Sequence, residues 1–317
     1  MAHETYKHVF GPALSRRLGR SLGIDVLPFK TCTYDCIYCQ LGRTTNRTVE
    51  RKEYVPLEEV IEEVRRKLDS GVETDYISIV GSGEPTLYSK LGALIAGIKA
   101  MTDTPVAVIT NGSLLWREDV VDDVLEADLV IPSLDAGNVA AFARVNRPDP
   151  AIGFEEMVDG LAAFRERYDG QVWLEVFLLG DVAATDEAVA ELAGHVARIR
   201  PDKVQLNTVA RPAPGTDVRP VPRDELERIA SRIGANAEVA VGPIAHYDDL
   251  APTAASEAGP EEVLGVLRRH PCTLEDLAAG LGLHPPEVLK HVTLLLERGA
   301  ITAESKDGAT FYLATQA

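Results

Sequence analysis

The chain has 317 residues, 45% hydrophobic and 26% charged, enough for one large domain plus a small one with a sizeable core. Formal net charge is −17, from 32 basic and 49 acidic residues, which argues against a general polyanion binder. The absence of any run near about 18 apolar residues excludes a spanning helix, and a start without an apolar h-region excludes a secretory signal. Three of the four cysteines fall within eight positions, which is no disulfide framework, so a reducing cytoplasmic setting is expected.

In chain order, strands are expected at 22–27, 76–80, 106–110, 129–133, 172–178, 204–208 and 238–241. Helices are expected near 57–69, 88–101, 114–126, 154–168, 185–199 and 222–233. Ile77-Ser78-Ile79-Val80 and Val106-Ala107-Val108-Ile109 are nearly continuous apolar runs, the pattern of parallel strands covered on both faces. Repeated βα units give an α/β fold, and about six of them fit a partial (β/α)6 barrel better than a complete eight-unit one. Polar residues gather just after the strands, at 81–85, 111–113, 134–136 and 209–212, so four distant loops should converge on the C-terminal mouth. The barrel is expected over 1–241 and a linker over 242–257. Residues 258–317 read as a winged helix-turn-helix: helices at 260–269, after Thr273 and at 285–298, then a hairpin over 300–303 and 310–313. Thr273, with Asp276 three positions on, carries a capping-box signal.

The strongest chemical signal is Cys32-Thr-Tyr-Asp-Cys36-Ile-Tyr-Cys39, three thiols on one short loop at C-x3-C-x2-C spacing. Such intervals let a loop wrap three corners of a cubane. Iron–sulfur clusters normally take four thiolates, so one iron would stay open to another ligand. A zinc site would want a fourth Cys or His nearby, and the neighbourhood offers Asp35. Cys272, in the C-terminal unit, reads as a small buried hydrophobe, with a fourth-ligand role as its alternative.

With Tyr38 before the last cysteine, on the loop after a first strand, this motif resembles that of the radical S-adenosylmethionine (radical SAM) superfamily over about residues 10–240. Gly81-Ser82-Gly83-Glu84, one βα unit later, is similar to the glycine–glutamate motif of those enzymes. The resemblance implies a [4Fe–4S] cluster on Cys32, Cys36 and Cys39, with S-adenosylmethionine chelating the open iron. One-electron reduction would cleave that cofactor to methionine and a 5′-deoxyadenosyl radical, which takes a hydrogen atom from substrate. It also implies a cofactor cradle of Tyr38, Gly81, Ser82, Gly83, Glu84, Thr110, Asn111, Ser133, Asp135 and Asn207. In that cradle Glu84 would meet the ammonium, Ser133 and Asp135 the ribose, and Asn207 the adenine edge.

Residues 1–51 carry eight Lys/Arg against four Asp/Glu, a basic island on an acidic chain. The phrases around it, at 10–25 and 40–43, resemble the wyosine-base (tRNA imidazoguanosine) synthase branch of the superfamily. Arg16, Arg17, Arg20, Arg43 and Arg47 would then meet phosphates at the mouth. Arg147, Glu175 and Arg211 are further substrate-facing candidates. No cysteine precedes Cys32 for the second cluster such synthases use, so the radical class carries over and the expected substrate is an RNA base or a peptide. A flavodoxin- or ferredoxin-type reductant is implied as electron donor. The alternative is an iron–sulfur sensor or transcription regulator that uses the winged helix. Against it, residues 256–317 hold five Lys/Arg and nine Asp/Glu, so neither duplex DNA nor a membrane is expected as a partner.

Overall fold

The computed structural model describes residues 6–15, 17–180, 185–209, 218–240, 258–306 and 308–315. The expected linker at 242–257 lies outside the described residues, as do Arg16 and Arg211. An antiparallel hairpin opens the chain, β1 (Val9–Ser15) against β2 (Gly19–Ile24). Two short strands, β3 (Thr31–Cys32) and β4 (Asn46–Arg47), close the cysteine loop on itself. There follow α1 (Leu57–Asp69), β5 (Tyr76–Ile79), α2 (Leu91–Lys99), β6 (Val106–Thr110), α3 (Glu118–Val124) and β7 (Leu129–Pro132). After them come α4 (Val139–Val145), α5 (Phe154–Arg167), β8 (Gln171–Phe177), α6 (Asp186–Ile199), β9 (Lys203–Asn207), α7 (Arg223–Ile233) and β10 (Ala237–Val239).

The main sheet runs β1-β2-β5-β6-β7-β8-β9-β10, parallel from β2 onward. Strand order equals chain order with two free ends, the signature of a barrel that has not closed. Side-chain alternation separates the two faces. Ile77, Val108, Val130, Leu174 and Leu206 join the core beneath the helices, whereas Ala107, Ile109, Ile131 and Trp173 face inward with Leu18. Helix ends follow the same logic. Glu58 and Glu59 open α1 and Arg66 and Lys67 close it, each complementing the helix dipole.

The sequence pattern does not show β1 or α4, nor the two-residue strands β3 and β4. β1 contains Gly11 and Pro12, residues depleted in strands, and its register with β2 shifts between Phe10 and Ala13. α4 is seven residues long, too short for a clear helical period, and Asn138 caps it by accepting the Ala141 N–H.

Residues from 258 form α8 (Pro260–Leu267), α9 (Leu274–Leu281), α10 (Pro285–Glu297) and the hairpin β11 (Ile301–Lys306) with β12 (Ala309–Ala314). The cap at Thr273 forms reciprocally: Thr273 Oγ1 accepts the Asp276 N–H at 3.1 Å, and Asp276 accepts the Thr273 N–H at 3.2 Å. This unit has its own core, including Val263, Leu277, Val288, Val292 and Leu295. Leu289 and Leu296 of α10 are exposed, and α8 and α9 pack on β1. Among the described residues, no helix is long and apolar enough to cross a membrane.

Candidate functional site

The cysteine loop leaves β2 at the C-terminal edge of the sheet and is fastened on two sides. On one side the segment after α4 clasps it: the Asp35 N–H donates to Asn146 O at 3.0 Å, the Ile37 N–H to Val145 O at 2.9 Å, and the Asp149 N–H to Thr33 O at 2.8 Å. On the other side the Gly81–Glu84 turn is laced to it, with the Lys30 N–H donating to Ser82 O at 2.7 Å and the Glu84 N–H to Thr31 O at 3.1 Å. All three cysteines are free, and each sulfur has a side-chain N–H donor beside it. Asn111 Nδ2 is 3.6 Å from Cys32 Sγ, Asn146 Nδ2 is 3.5 Å from Cys36 Sγ, and Lys30 Nζ is 3.1 Å from Cys39 Sγ.

Burial, followed by the Glu84 carboxylate, pushes the Cys32 thiol up to about 12, and burial with Asp135 and the other two thiols raises Cys36. Thiols that raise one another lie close together and need a positive centre before they ionise. Among the described residues, no three His, Cys, Asp or Glu side chains converge on a single ion. Three soft donors on one loop, each with an N–H beside its sulfur, match the donor chemistry of a multi-iron cluster.

The turn after β5 needs its glycines for space. A Cβ on Gly83 would lie 1.7 Å from Thr31 O, against the backbone of the cysteine loop. Gly81 has φ 150°, and a Cβ there would fall 2.3 Å from the Asp25 carboxyl carbon. Asp25 in turn accepts from Ser82 N at 3.1 Å and Ser82 Oγ at 2.6 Å, pinning the turn to the end of β2.

Several side chains expected around the cofactor are hydrogen-bonded within the frame of the site. Glu84 is 1% exposed; its Oε1 accepts from Thr86 N, Thr86 Oγ1 and Thr110 Oγ1, and its Oε2 from Asn111 N at 2.7 Å. Burial raises its pKa and those donors pull it part-way back. Glu84 thereby ties the end of β6 to the glycine turn, with three of its donors on Oε1 and one on Oε2. Asp135 is similar. It accepts from Tyr38 Oη, from Asn146 Nδ2 at 2.7 Å and from Phe177 N at 3.0 Å, and burial pushes it up to about 6. It thereby fastens the cysteine loop through Tyr38, whose ring stacks on Phe177 at 3.9 Å. Asn207 donates from its amide to Glu175 at 3.0 Å. Ser133 bridges to Glu175 through backbone and is half-buried at the strand end, its hydroxyl free of hydrogen bonds among the described residues.

The basic island divides. Arg17 reaches from the β1–β2 hairpin into the barrel and pairs with Glu175 at 2.5 Å. Burial opposes ionisation of Glu175, but Arg17 and Asn207 lower its pKa below the ordinary value. Arg20 lies at the start of β2 and pairs with Glu73 and Asp75 ahead of β5, at the end of the sheet opposite the mouth. That correction follows from strand direction, which charge counting does not sense. Arg43, Arg47 and Arg147 stay beside the cysteine loop. Arg43 is 77% exposed and 3.0 Å from Asp35, Arg147 is 3.8 Å from the same carboxylate, and Arg47 donates to Arg147 O. Lys30, Asp25 and Thr33 are site residues that no motif in the sequence marks, because each acts through a contact made only by folding.

The model of the Radical SAM superfamily matches residues 26–193. The chain is 40% identical over 306 residues to a GTPase Obg of Brachyspira hyodysenteriae, covering 96% of this chain and 45% of that protein. It thus spans less than half of that relative. It is 32% identical to a UPF0026 protein of Methanocaldococcus jannaschii, covering 96% of this chain and 95% of that one. Among solved structures it is similar to TYW1 with a lysine-pyruvate adduct bound, at TM-score 0.53 and 17% identity, covering 69% of this chain and 74% of that chain. It is also similar to Streptococcus suis SuiB bound to the precursor peptide SuiA, at TM-score 0.54 and 14% identity, covering 74% and 53%. The three-cysteine loop, the glycine turn laced against it and a superfamily match over more than half of the length agree on one conclusion: the chain belongs to the radical SAM superfamily and is an enzyme of that class.

Proposed function

We propose that Cys32, Cys36 and Cys39 hold a [4Fe–4S] cluster, and that S-adenosylmethionine binds beside it against the Gly81–Glu84 turn. The observation that carries this reading is the lacing of turn to loop, Lys30 N to Ser82 O and Glu84 N to Thr31 O, which fixes the distance between cluster and cofactor. When bound, these groups supply a one-electron cleavage that delivers a 5′-deoxyadenosyl radical. The chain's own residues position and shield. Asp135 and Asn146 hold the loop, Glu84 holds the turn, and Ser133 at the mouth leaves a hydroxyl for a ribose or a substrate. A flavodoxin- or ferredoxin-type donor provides the electron.

The substrate we favour is an RNA base. Arg43, Arg47 and Arg147 beside the loop form a cationic rim on an acidic protein, which supports contact with phosphates. A peptide is the second reading, supported by the likeness to SuiB. We read residues 258–317 as a winged helix for substrate or protein contact: Arg269, one of its five cations, is turned onto the barrel, which leaves fewer for duplex DNA. The sensor alternative gains no support from that charge balance.

The test is anaerobic reconstitution followed by reduction with dithionite in the presence of S-adenosylmethionine. About four irons and four sulfides per chain, with formation of 5′-deoxyadenosine, are expected. Chains that take up iron yet leave the cofactor intact under reduction would refute the reading. Crosslinking to RNA fragments and to peptides then separates the two substrate classes.

A further inference from the structure

Lys30 combines three features that no role described above accounts for. It is 3% exposed, its backbone is left-handed at φ 59°, and among the described residues its ammonium has one hydrogen-bond partner, Cys39 Sγ at 3.1 Å. A non-glycine residue in that backbone region is strained, and burying an ammonium without a carboxylate is costlier still. The conformation is held from both sides, by the N–H bond to Ser82 O and by Lys30 O accepting the Asn46 N–H at 3.1 Å. The other two sulfurs have neutral amide donors, Asn111 and Asn146, so Lys30 is the one charged donor among the three.

We propose that Lys30 tunes the reduction potential of the cluster through a charged N–H···S bond to Cys39. This rests on the cluster reading above. One electron from a low-potential donor adds to the cluster, no bond forms or breaks, and the net charge becomes more negative by one. A cation and hydrogen-bond donor at a ligating sulfur stabilises the more negative state, so the potential rises and a physiological donor can fill the site. Lys30 acts through Cys39 as a positioning and tuning residue, and it touches no substrate. The two asparagines share the geometry without the charge, which makes the lysine the separable electrostatic component.

Reconstituted wild type, Lys30→Met and Lys30→Arg are titrated with dithionite and redox mediators, and the reduced cluster is read by electron paramagnetic resonance. Lys30→Met is expected to keep its iron while the reduced-to-oxidised ratio at fixed potential falls about tenfold, equivalent to about 59 mV for one electron. Lys30→Arg keeps the charge and stays near wild type. A Met variant with intact cluster and unchanged potential overturns the proposal. So does a Met variant that loses its iron while the Arg variant retains it, since Lys30 would then be an anchor. Resonance Raman of the wild type needs no variant: iron–thiolate bands must move between H2O and D2O, and bands that stay put overturn the N–H···S bond. A wild type that takes up no iron at all defeats the cluster reading itself, a result distinct from each of these.

Discussion

Arg269 and Asp25 form a buried ion pair at 3.4 Å that joins the C-terminal unit to the turn beside the cysteine loop. The guanidinium also lies 4.1 Å from the Phe10 ring centroid, and that ring occupies the space where a Cβ on Gly23 would be. Asp25 Oδ2 accepts from both Ser82 N and Ser82 Oγ, so one carboxylate oxygen serves the barrel and its neighbour together. Burial lowers the Arg269 pKa, and Asp25, with Glu63 after it, opposes that. Removing one member of such a pair leaves an uncompensated charge, so Arg269→Met should cost roughly 3–5 kcal/mol. Thermal unfolding checks this. A melting curve matching wild type would mean that the contact contributes nothing.

Gly83→Ala should disturb the cluster from a distance. Its Cβ would meet Thr31 O at 1.7 Å, and neither backbone can yield without shifting Cys32. Iron content after reconstitution should drop to less than half that of wild type, with a matching loss of S-adenosylmethionine binding by calorimetry. Full iron loading in this variant would show that the two segments move independently.

Glu84→Gln keeps one oxygen for Thr86 and Thr110 and puts an amide donor against the Asn111 N–H. Leaving buried donors opposed costs about 1–3 kcal/mol. Stability and cofactor affinity should fall together. Weaker affinity at unchanged melting temperature would restore a direct contact between Glu84 and the methionine ammonium.

Glu175 provides the pH prediction. Its folded pKa lies below the ordinary 4.5, with Arg17 and Asn207 outweighing burial. A depressed carboxylate contributes stability above its unfolded pKa and loses it as pH falls through the folded value. The stability gap between wild type and Glu175→Gln should therefore be widest above pH 4.5 and shrink at lower pH, as measured by urea unfolding at stepped pH. A gap that grows on acidification would reverse the sign and the assignment.

Cys272 is buried in the C-terminal core and hydrogen-bonded through its backbone to Tyr312. Cys272→Ala should leave iron content unchanged at a cost of about 1 kcal/mol, whereas Cys39→Ala should abolish reductive cleavage. Iron lost from the Cys272 variant would make it the fourth ligand and close the open iron.

Much of the barrel was legible because its strands must be apolar on both faces. β6 falls at 106–110 as expected, and α1 at 57–69, where an amphipathic period and end charges agree. The cysteine and glycine motifs were legible for a related reason: each needs fixed residue types at short spacing, and short spacing is what a sequence displays directly.

What the sequence could not rank was which polar residue faces ligand and which fastens the frame. Glu84, Asp135 and Asn207 were read as cofactor contacts, while Lys30 and Asp25 drew no reading at all. All five are polar groups at strand ends, and their roles differ only through partners such as Thr110, Tyr38, Glu175, Cys39 and Arg269. The sequence by itself determined the α/β class, the order of elements and the three-thiol loop, because backbone propensity and covalent spacing are local. Tertiary structure alone decided that Arg20 points away from the mouth, that Arg17 neutralises Glu175, and that one lysine is held against one sulfur. A charge buried in a folded interior takes its role from the partner beside it, and that partner is set by packing between segments far apart in the chain.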